Sequence, residues 1–184
     1  MKEKHTTQKS TLELNLFDNA CDSLSEAIRK HEESLRGDKT ALKHAVLYLS
    51  HFVELFLKTY VAKQHPLLIF TKPNADINKS DPHTITISAA IQILKNCEIK
   101  IPKALEEDIE KLSEQRNQIT HYKVSIPSQE FVKRMSRLLA DMATFDRINL
   151  GLNICDHINE DVWAISNHVL NAIMKPHTFQ KTWM

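Results

Sequence analysis

Glycine is nearly absent from this chain, which has only Gly37 and Gly151 among its 184 residues. Phosphate-binding loops of the G-x-G-x-x-G and G-x-x-x-x-G-K-[ST] types need closely spaced glycines, so the sequence contains neither motif. Tight β-hairpins favour glycine at left-handed positions and are disfavoured for the same reason. The sequence therefore points away from the enzyme classes that depend on those two loops.

Cysteine, net charge and long apolar runs are also scarce. Cys21, Cys97 and Cys155 are far apart and lack C-x-x-C spacing, which argues against a disulfide framework or a zinc knuckle. A formal net charge of +1 predicts no general attraction to polyanions, so nucleic-acid binding would need a local basic patch. No segment approaches the roughly 20 apolar residues of a membrane span. We expect a soluble, cytoplasmic protein without membrane contact.

Apolar residues at helical spacing are what the sequence has in abundance. Its length suits a single domain over residues 1–184, which is long enough to bury a sizeable core. The spacing predicts an all-α antiparallel bundle of four core helices, within about 11–150, together with short and C-terminal helices. The predicted helices cover roughly 11–36, 40–64, 86–96, 102–120, a segment from 128 through 145, and 159–174.

Helix ends are marked by a few residues. Gly37 is placed to end the first helix, and Ser128 is expected to cap the fifth. The second helix is the most apolar and is expected to be central. Residues 65–83 contain three prolines and are expected to form a long loop, in which 67–70 is a candidate extended piece.

One position breaks the apolar pattern of the fourth helix. Leu112 and Ile119 are seven residues apart, and Arg116 lies between them at a position where the helical spacing calls for an apolar side chain. An arginine is rarely buried without a partner, so the position needs an explanation beyond packing. One interpretation is structural: Arg116 pairs with a carboxylate from a neighbouring helix, and His121 merely ends its own. The apolar positions of this helix are Leu105, Ile109, Leu112 and Ile119.

The other interpretation of this segment is chemical. Arg116 offers a planar fork of donors suited to a phosphate, Asn117 can hold a bound group, and His121 can take or give a proton. Together they suit cleavage of an RNA phosphodiester by its own 2′-hydroxyl, without a metal. Five residues place Arg116 and His121 about 140° apart on an ideal helix. They converge only if the helix unwinds before His121 or if a second subunit contributes to the site.

A second group of polar residues shares one side of the predicted second helix. His44, His51, Glu54 and Lys58 recur there at helical spacing, together with Leu47. A metal site through His44, His51 and Glu54 is disfavoured, because the two histidines lie roughly 10 Å apart along the helix. Glu54 and Lys58 are more simply an i,i+4 ion pair. A half-polar stripe on a helix that also has a full apolar face suggests an interface or a cleft.

Basic residues follow the Arg116 segment. They form a candidate RNA-binding patch, although a solvated helix face is the commoner explanation for such a charge run. Tyr122 is the best nearby candidate for stacking on a base. The members of the patch are Lys123, Lys133, Arg134 and Arg137.

Two stretches together resemble the HEPN superfamily of small α-helical proteins. The first, RNQITHY at residues 116–122, matches the family's pattern of Arg, four to six residues and His, with Asn directly after Arg. The second, HAVLYLSHFVELFLK at residues 44–58, is similar to the family's second-helix segment with its Glu-Leu-x-Leu-Lys ending. The resemblance covers roughly residues 11–150. Residues 65–83 and the chain past 150 lie outside it.

The resemblance implies a metal-independent endoribonuclease that needs no cofactor. Active members act in toxin–antitoxin, phage-defence and RNA-processing systems and are usually homodimers that bring two such motifs together. Carried over by position, Arg116 and His121 are the expected catalytic pair. An antitoxin partner, if there is one, would be encoded separately. The expected supporting residues are Asn117, Tyr122, His51, Glu54 and Lys58.

The resemblance also leaves an alternative open. Some toxin members have a tyrosine two residues after the histidine, whereas this chain has Lys123 there and Tyr122 one residue earlier. Many HEPN proteins are non-catalytic interaction or ligand-binding modules. The two hypotheses for this chain are therefore an RNA-cleaving dimer and a helical binding module.

Overall fold

The protein is all-α. The computed structural model describes residues 15–74, 83–121, 127–158 and 160–165. Over these residues the chain has no strand, and a single isolated antiparallel bridge pairs Phe70 with Thr84. The α-helices are α1 (Leu16–Leu35), α2 (Lys39–Gln64), α3 (Ile87–Asn96), α4 (Lys103–His121), α5 (Ser128–Asn149) and α6 (Glu160–Ile165), and two short 3-10 helices span Pro66–Ile69 and Ile154–His157.

A short turn folds α1 back onto α2. Gly37 has a φ of +103°, the left-handed conformation that ends a helix at little cost for glycine, so its predicted role is confirmed. The Asp38 side chain then accepts hydrogen bonds from the backbone N–H groups of Thr40 and Ala41 and caps α2. The two helices pack against each other along the apolar face of each.

Helix α2 is the centre of the bundle, as its composition predicted. It contacts α1, α3, α4 and the first 3-10 helix. The ring centroids of Tyr60 and Phe145 of α5 lie 4.9 Å apart, and the Tyr60 hydroxyl donates to Asp146 Oδ1 at 2.6 Å. Asp146 is buried and also accepts from the backbone N–H groups of Leu152 and Asn153. This carboxylate thus ties the end of α5 to the core and to the chain that follows.

The apolar character of α2 also bears on the question of a membrane span. Thr40–Gln64 is long and apolar enough to cross a membrane by length and composition, so the expectation that no segment approaches this limit was wrong. In the bundle, 72% of its most apolar window is buried. Packing inside the protein accounts for that composition, as it does for the core helix of any bundle.

The remaining helices agree with the sequence pattern in type and differ in detail. The predicted stripe of α5 is buried, which confirms that face of the helix. Pro127 occupies the N-cap position of α5 and Ser128 is the first helical residue, so the prediction of Ser128 as the cap was wrong. Leu67–Ile69 belong to a 3-10 helix and not to an extended piece. The α5 stripe consists of Phe131, Met135, Leu138, Met142 and Phe145.

Two predicted segments extend past what is described. The first helix was expected from residue 11, and its residues before 15 lie outside the described part of the chain. The last was expected over 159–174, of which α6 covers Glu160–Ile165. Within α6, Val162 is fully buried, in line with its predicted place on the apolar face.

Candidate functional site

Helix α4 carries the Arg116 segment and is continuous through His121. Its four predicted apolar positions are all buried, so the predicted apolar face of this helix is confirmed. Arg116, Asn117 and His121 are all exposed. The Arg116 side chain is therefore in solvent and not in the core, although its position lies between two buried apolar residues of the helix.

The contacts of Arg116 decide between its two interpretations. Its Nη1 donates to Asn117 Oδ1 at 3.2 Å, and no carboxylate in the described part of the chain pairs with it. The described residues therefore give no support to a structural ion pair between Arg116 and a neighbouring helix. A guanidinium with one weak neighbour retains most of its five donors for a ligand.

The buried charge on α4 belongs to Asp108 instead, and its partner is Arg137 of α5. Asp108 is 2% exposed, and Arg137 donates through Nε and Nη2 to both of its carboxylate oxygens. The hydrogen bond to Asp108 raises the pKa of the Arg137 guanidinium. Because this fork is already bound to a carboxylate, Arg137 links α5 to α4, and its place in the RNA-binding patch stays a prediction.

The other residues of the predicted RNA-binding patch differ in their contacts. Arg134 donates to Glu130 at 2.6 Å within α5, so it too has a partner. Lys133 is exposed. Lys123 and Tyr122 lie outside the described residues. The structure therefore leaves Lys133 as the described member of the patch that has no ion pair.

A cavity of about 720 Å³ opens between α2, α3, α4 and the residues that lead into α3. Arg116 and Asn117 line it and are the last α4 residues to do so. Glu54, on the half-polar side of α2, lines it as well. The predicted cleft therefore exists, and it joins the Arg116 segment to the α2 stripe.

Lys58 lies behind this cavity wall. Its side chain is 4% exposed, and Nζ lies 2.5 Å from Glu54 Oε1 and donates to Thr84 Oγ1 at 2.8 Å. The predicted i,i+4 ion pair is thus confirmed. Because an ammonium has three donors and no acceptor, it fixes both the Glu54 carboxylate and the Thr84 hydroxyl at the cavity surface. Lys58 is a supporting residue that acts through these two side chains.

The two histidines of the α2 stripe do not line the cavity. His51 is exposed, and its Nδ1 shares a hydrogen bond of 2.8 Å with Ser23 Oγ of α1. His44 is exposed one turn from the start of α2. Among the described residues no group of three or more His, Cys, Asp or Glu side chains is placed to hold a metal ion. The metal hypothesis therefore has no geometric support.

His121 is separated from Arg116 by the geometry of α4 itself. An uninterrupted helix places the two side chains about 140° apart, and α4 does not unwind before His121. His121 is also not among the residues that line the cavity. Of the two ways in which the pair can converge, only a contribution from a second chain remains.

Comparisons with models of protein families, with curated proteins and with solved structures found no match. Function must therefore be inferred from the residues around the cavity. Sequence reasoning missed Glu110 and Ser50, which also line it. Glu110 lies seven residues before Asn117 on one helix face, but that spacing carries meaning only once the cavity is known.

Proposed function

We propose that this chain is a metal-independent endoribonuclease of the HEPN type, in which Arg116 and His121 are the catalytic pair. The observation that supports the proposal is the state of Arg116, which is exposed at the cavity and has no carboxylate partner among the described residues. A planar guanidinium in this position is suited to bind the non-bridging oxygens of a phosphodiester through two parallel hydrogen bonds. Asn117, bonded to Arg116, orients that fork.

The proposed reaction is an internal transesterification. The ribose 2′-oxygen attacks the adjacent phosphorus and releases its proton to water, while the bond from phosphorus to the 5′-oxygen breaks. His121 supplies the proton that the leaving 5′-oxygen requires. The products are a 2′,3′-cyclic phosphate and a 5′-hydroxyl, and no oxidant, metal or cofactor enters the balance.

The proposed enzyme is a homodimer. Because Arg116 and His121 of one chain diverge by about 140°, each site takes Arg116 from one chain and His121 from the other. Such a dimer has two equal composite sites. We place the enzyme in a cytoplasmic toxin–antitoxin or phage-defence setting, with a separately encoded antitoxin as a candidate partner.

Cleavage of single-stranded RNA in the presence of EDTA tests the proposal. Arg116→Ala and His121→Ala are each expected to lower the cleavage rate about 100-fold or more, since each removes a catalytic group. Matched controls are Arg147→Ala and His44→Ala, which remove exposed side chains that do not line the cavity. Both controls should cleave like the wild type, and the new ends should be cyclic phosphates.

A non-catalytic binding module is the alternative. The observation that favours it is Glu110, a carboxylate of the cavity lining that has no ion pair among the described residues and is therefore a poor neighbour for a polyanion. Under this alternative, wild-type protein at high concentration leaves RNA intact. Equal cleavage by the wild type, Arg116→Ala and His121→Ala would also remove the ribonuclease proposal, because the activity would then belong to a contaminant.

A further inference from the structure

Ser50 of α2 has no hydrogen-bond partner in the described part of the chain. It is 5% exposed, and the surface that remains lies in the cavity wall. A hydroxyl at a cavity surface that has no protein partner can be satisfied by a ligand or by solvent. Ser50 is thus a polar group of the cavity wall that is available to a ligand.

Among the charged side chains that line the cavity, one carboxylate and one guanidinium have no ion-pair partner in the described part of the chain. Glu54 is neutralised by Lys58, and both oxygens of Glu106 accept from Lys95. Glu110 has neither an ion pair nor a hydrogen bond among the described residues, and Arg116 has no carboxylate partner. The cavity therefore offers one available carboxylate and one available guanidinium. They lie six residues apart on α4, which is about 9 Å along the helix axis.

The lining of the cavity also has an apolar part. Four isoleucines line the cavity, and Ile109 is almost completely buried beneath it. Flat apolar walls suit the faces of a planar ring, whereas the carboxylate and the hydroxyl suit its polar edge. The four are Ile85, Ile87, Ile91 and Ile109.

We propose that the cavity is a guanine subsite, in which Glu110 accepts hydrogen bonds from the base while Arg116 holds the 3′-phosphate of the same nucleotide. The identity of the ligand rests on the proposed ribonuclease function. Both side chains line this one cavity, and their positions lie about 9 Å apart along the axis of α4, so one nucleotide is long enough to reach from one to the other. Ser50 supplies a further hydroxyl to the bound nucleotide.

The choice of guanine follows from the two oxygens of a carboxylate. The Watson–Crick edge of guanine presents two adjacent donors, N1–H and N2–H, which one carboxylate accepts as a bidentate pair. Uracil presents a single N–H between two carbonyl oxygens, and those oxygens would face Glu110 with like charge. Cytosine and adenine each present one donor group on this edge beside ring nitrogens that only accept. Glu110 therefore selects guanine over the other three bases.

Binding of nucleotides measured by calorimetry tests the subsite without any need for cleavage. Wild-type protein should bind guanosine 3′-monophosphate about tenfold more tightly than uridine 3′-monophosphate, the size of one bidentate base contact. Glu110→Gln replaces one oxygen by a donor amide and should abolish that preference. Glu114→Gln, an exposed glutamate of the same helix outside the cavity, is the matched control and should keep it. Equal affinity for the two nucleotides in wild-type protein would overturn the subsite.

Cleavage of an RNA with a single guanosine separates failure of the subsite from failure of the enzyme. Preferential cutting on the 3′ side of that guanosine, lost in Glu110→Gln and kept in Glu114→Gln, is the expected result. Cutting without base preference overturns the subsite and leaves the ribonuclease. Absence of cutting together with tight, Glu110-dependent binding of the guanosine nucleotide overturns the ribonuclease and leaves the subsite.

Discussion

Two arginines near helix α4 are in opposite situations. Arg137 of α5 binds both oxygens of the buried Asp108, whereas Arg116 of α4 is exposed beside a cavity with Asn117 as its hydrogen-bond neighbour. The sequence alone did not separate them, because Arg116 interrupts an apolar interval, which fits a structural or a chemical role, and Arg137 lies in a run of basic residues that was expected to bind RNA. The difference shows that a charge pattern does not distinguish a structural arginine from one that is available to a ligand.

The two arginines differ in whether a carboxylate on the neighbouring helix faces them. A buried aspartate at position 108 requires a cation, and α5 packs on α4 so that Arg137 supplies it. No described carboxylate requires Arg116. Arg137 therefore contributes to the stability of the fold, and Arg116 is expected to contribute to function alone.

The largest expected effect is on the free energy of unfolding. Arg137→Ala leaves the Asp108 carboxylate buried without its partner and should lower this free energy by about 3 kcal/mol. Arg116→Ala removes an exposed side chain and should change it by about 0.5 kcal/mol or less. Urea unfolding of the two variants, side by side, measures both values.

A double variant checks the cause of the larger loss. Asp108→Asn together with Arg137→Ala removes the charge as well as its partner, so it should be more stable than Arg137→Ala alone. A loss for Arg116→Ala equal to that for Arg137→Ala would show that the two arginines do not differ in the way the contacts indicate.

The second prediction concerns the separation of Arg116 from His121. If each site takes one residue from each chain, mixing Arg116→Ala with His121→Ala protein creates dimers in which one site is complete. About half of the dimers are then mixed and one site in two is intact, so activity should recover to about a quarter of the wild type. This is roughly 25-fold above either variant alone, each at about 1% of the wild type.

The measurement is RNA cleavage after the two variants have been unfolded together and refolded. Each variant treated alone is the control and should stay inactive. A mixture no more active than its components would contradict the composite site. It would mean that Arg116 and His121 act within one chain, in conflict with the uninterrupted helix α4.

Much of the fold was accessible from the sequence, because apolar periodicity records which faces are buried. The α5 stripe, the central place of α2 and the role of Gly37 followed from such local signals. The 3-10 helices and the place of Pro127 at the N-cap of α5 did not, since turn geometry depends on contacts that the pattern does not contain.

The candidate site was accessible in part. Arg116, Asn117 and Glu54 were identified from residue type and spacing, and the structure brings these three to one cavity. Ser50 and Glu110 were missed, because a serine on a core helix and a glutamate on an exposed face are unremarkable until the cavity between them is seen. Pairing across helices decides which polar residues are available, and one sequence carries no signal of it.

Two histidines also differ, one being exposed to solvent and the other held within the fold. His121 is exposed at the end of α4, whereas His31 of α1 is 2% exposed, and neither of its ring nitrogens has a hydrogen-bond partner among the described residues. The His31 ring lies 6.1 Å from the ring of Phe131 in α5. Burial lowers the pKa of His31 from its ordinary value of 6.5, against a smaller opposing effect of Glu32 at 3.8 Å.

The smallest predicted effect is the pH dependence that follows from His31. Because its pKa is lower in the folded than in the unfolded chain, the unfolded chain takes up the proton first as the pH falls. The contribution of neutral His31 to stability is therefore complete above about pH 6.5 and is lost as the pH falls from there toward the folded pKa. Unfolding by urea at pH 7.5 and pH 5.5 should show a larger loss of stability at the lower pH in the wild type than in His31→Phe. His121→Ala should retain the wild-type dependence, and equal pH dependence in His31→Phe and the wild type would show that the His31 ring reaches water.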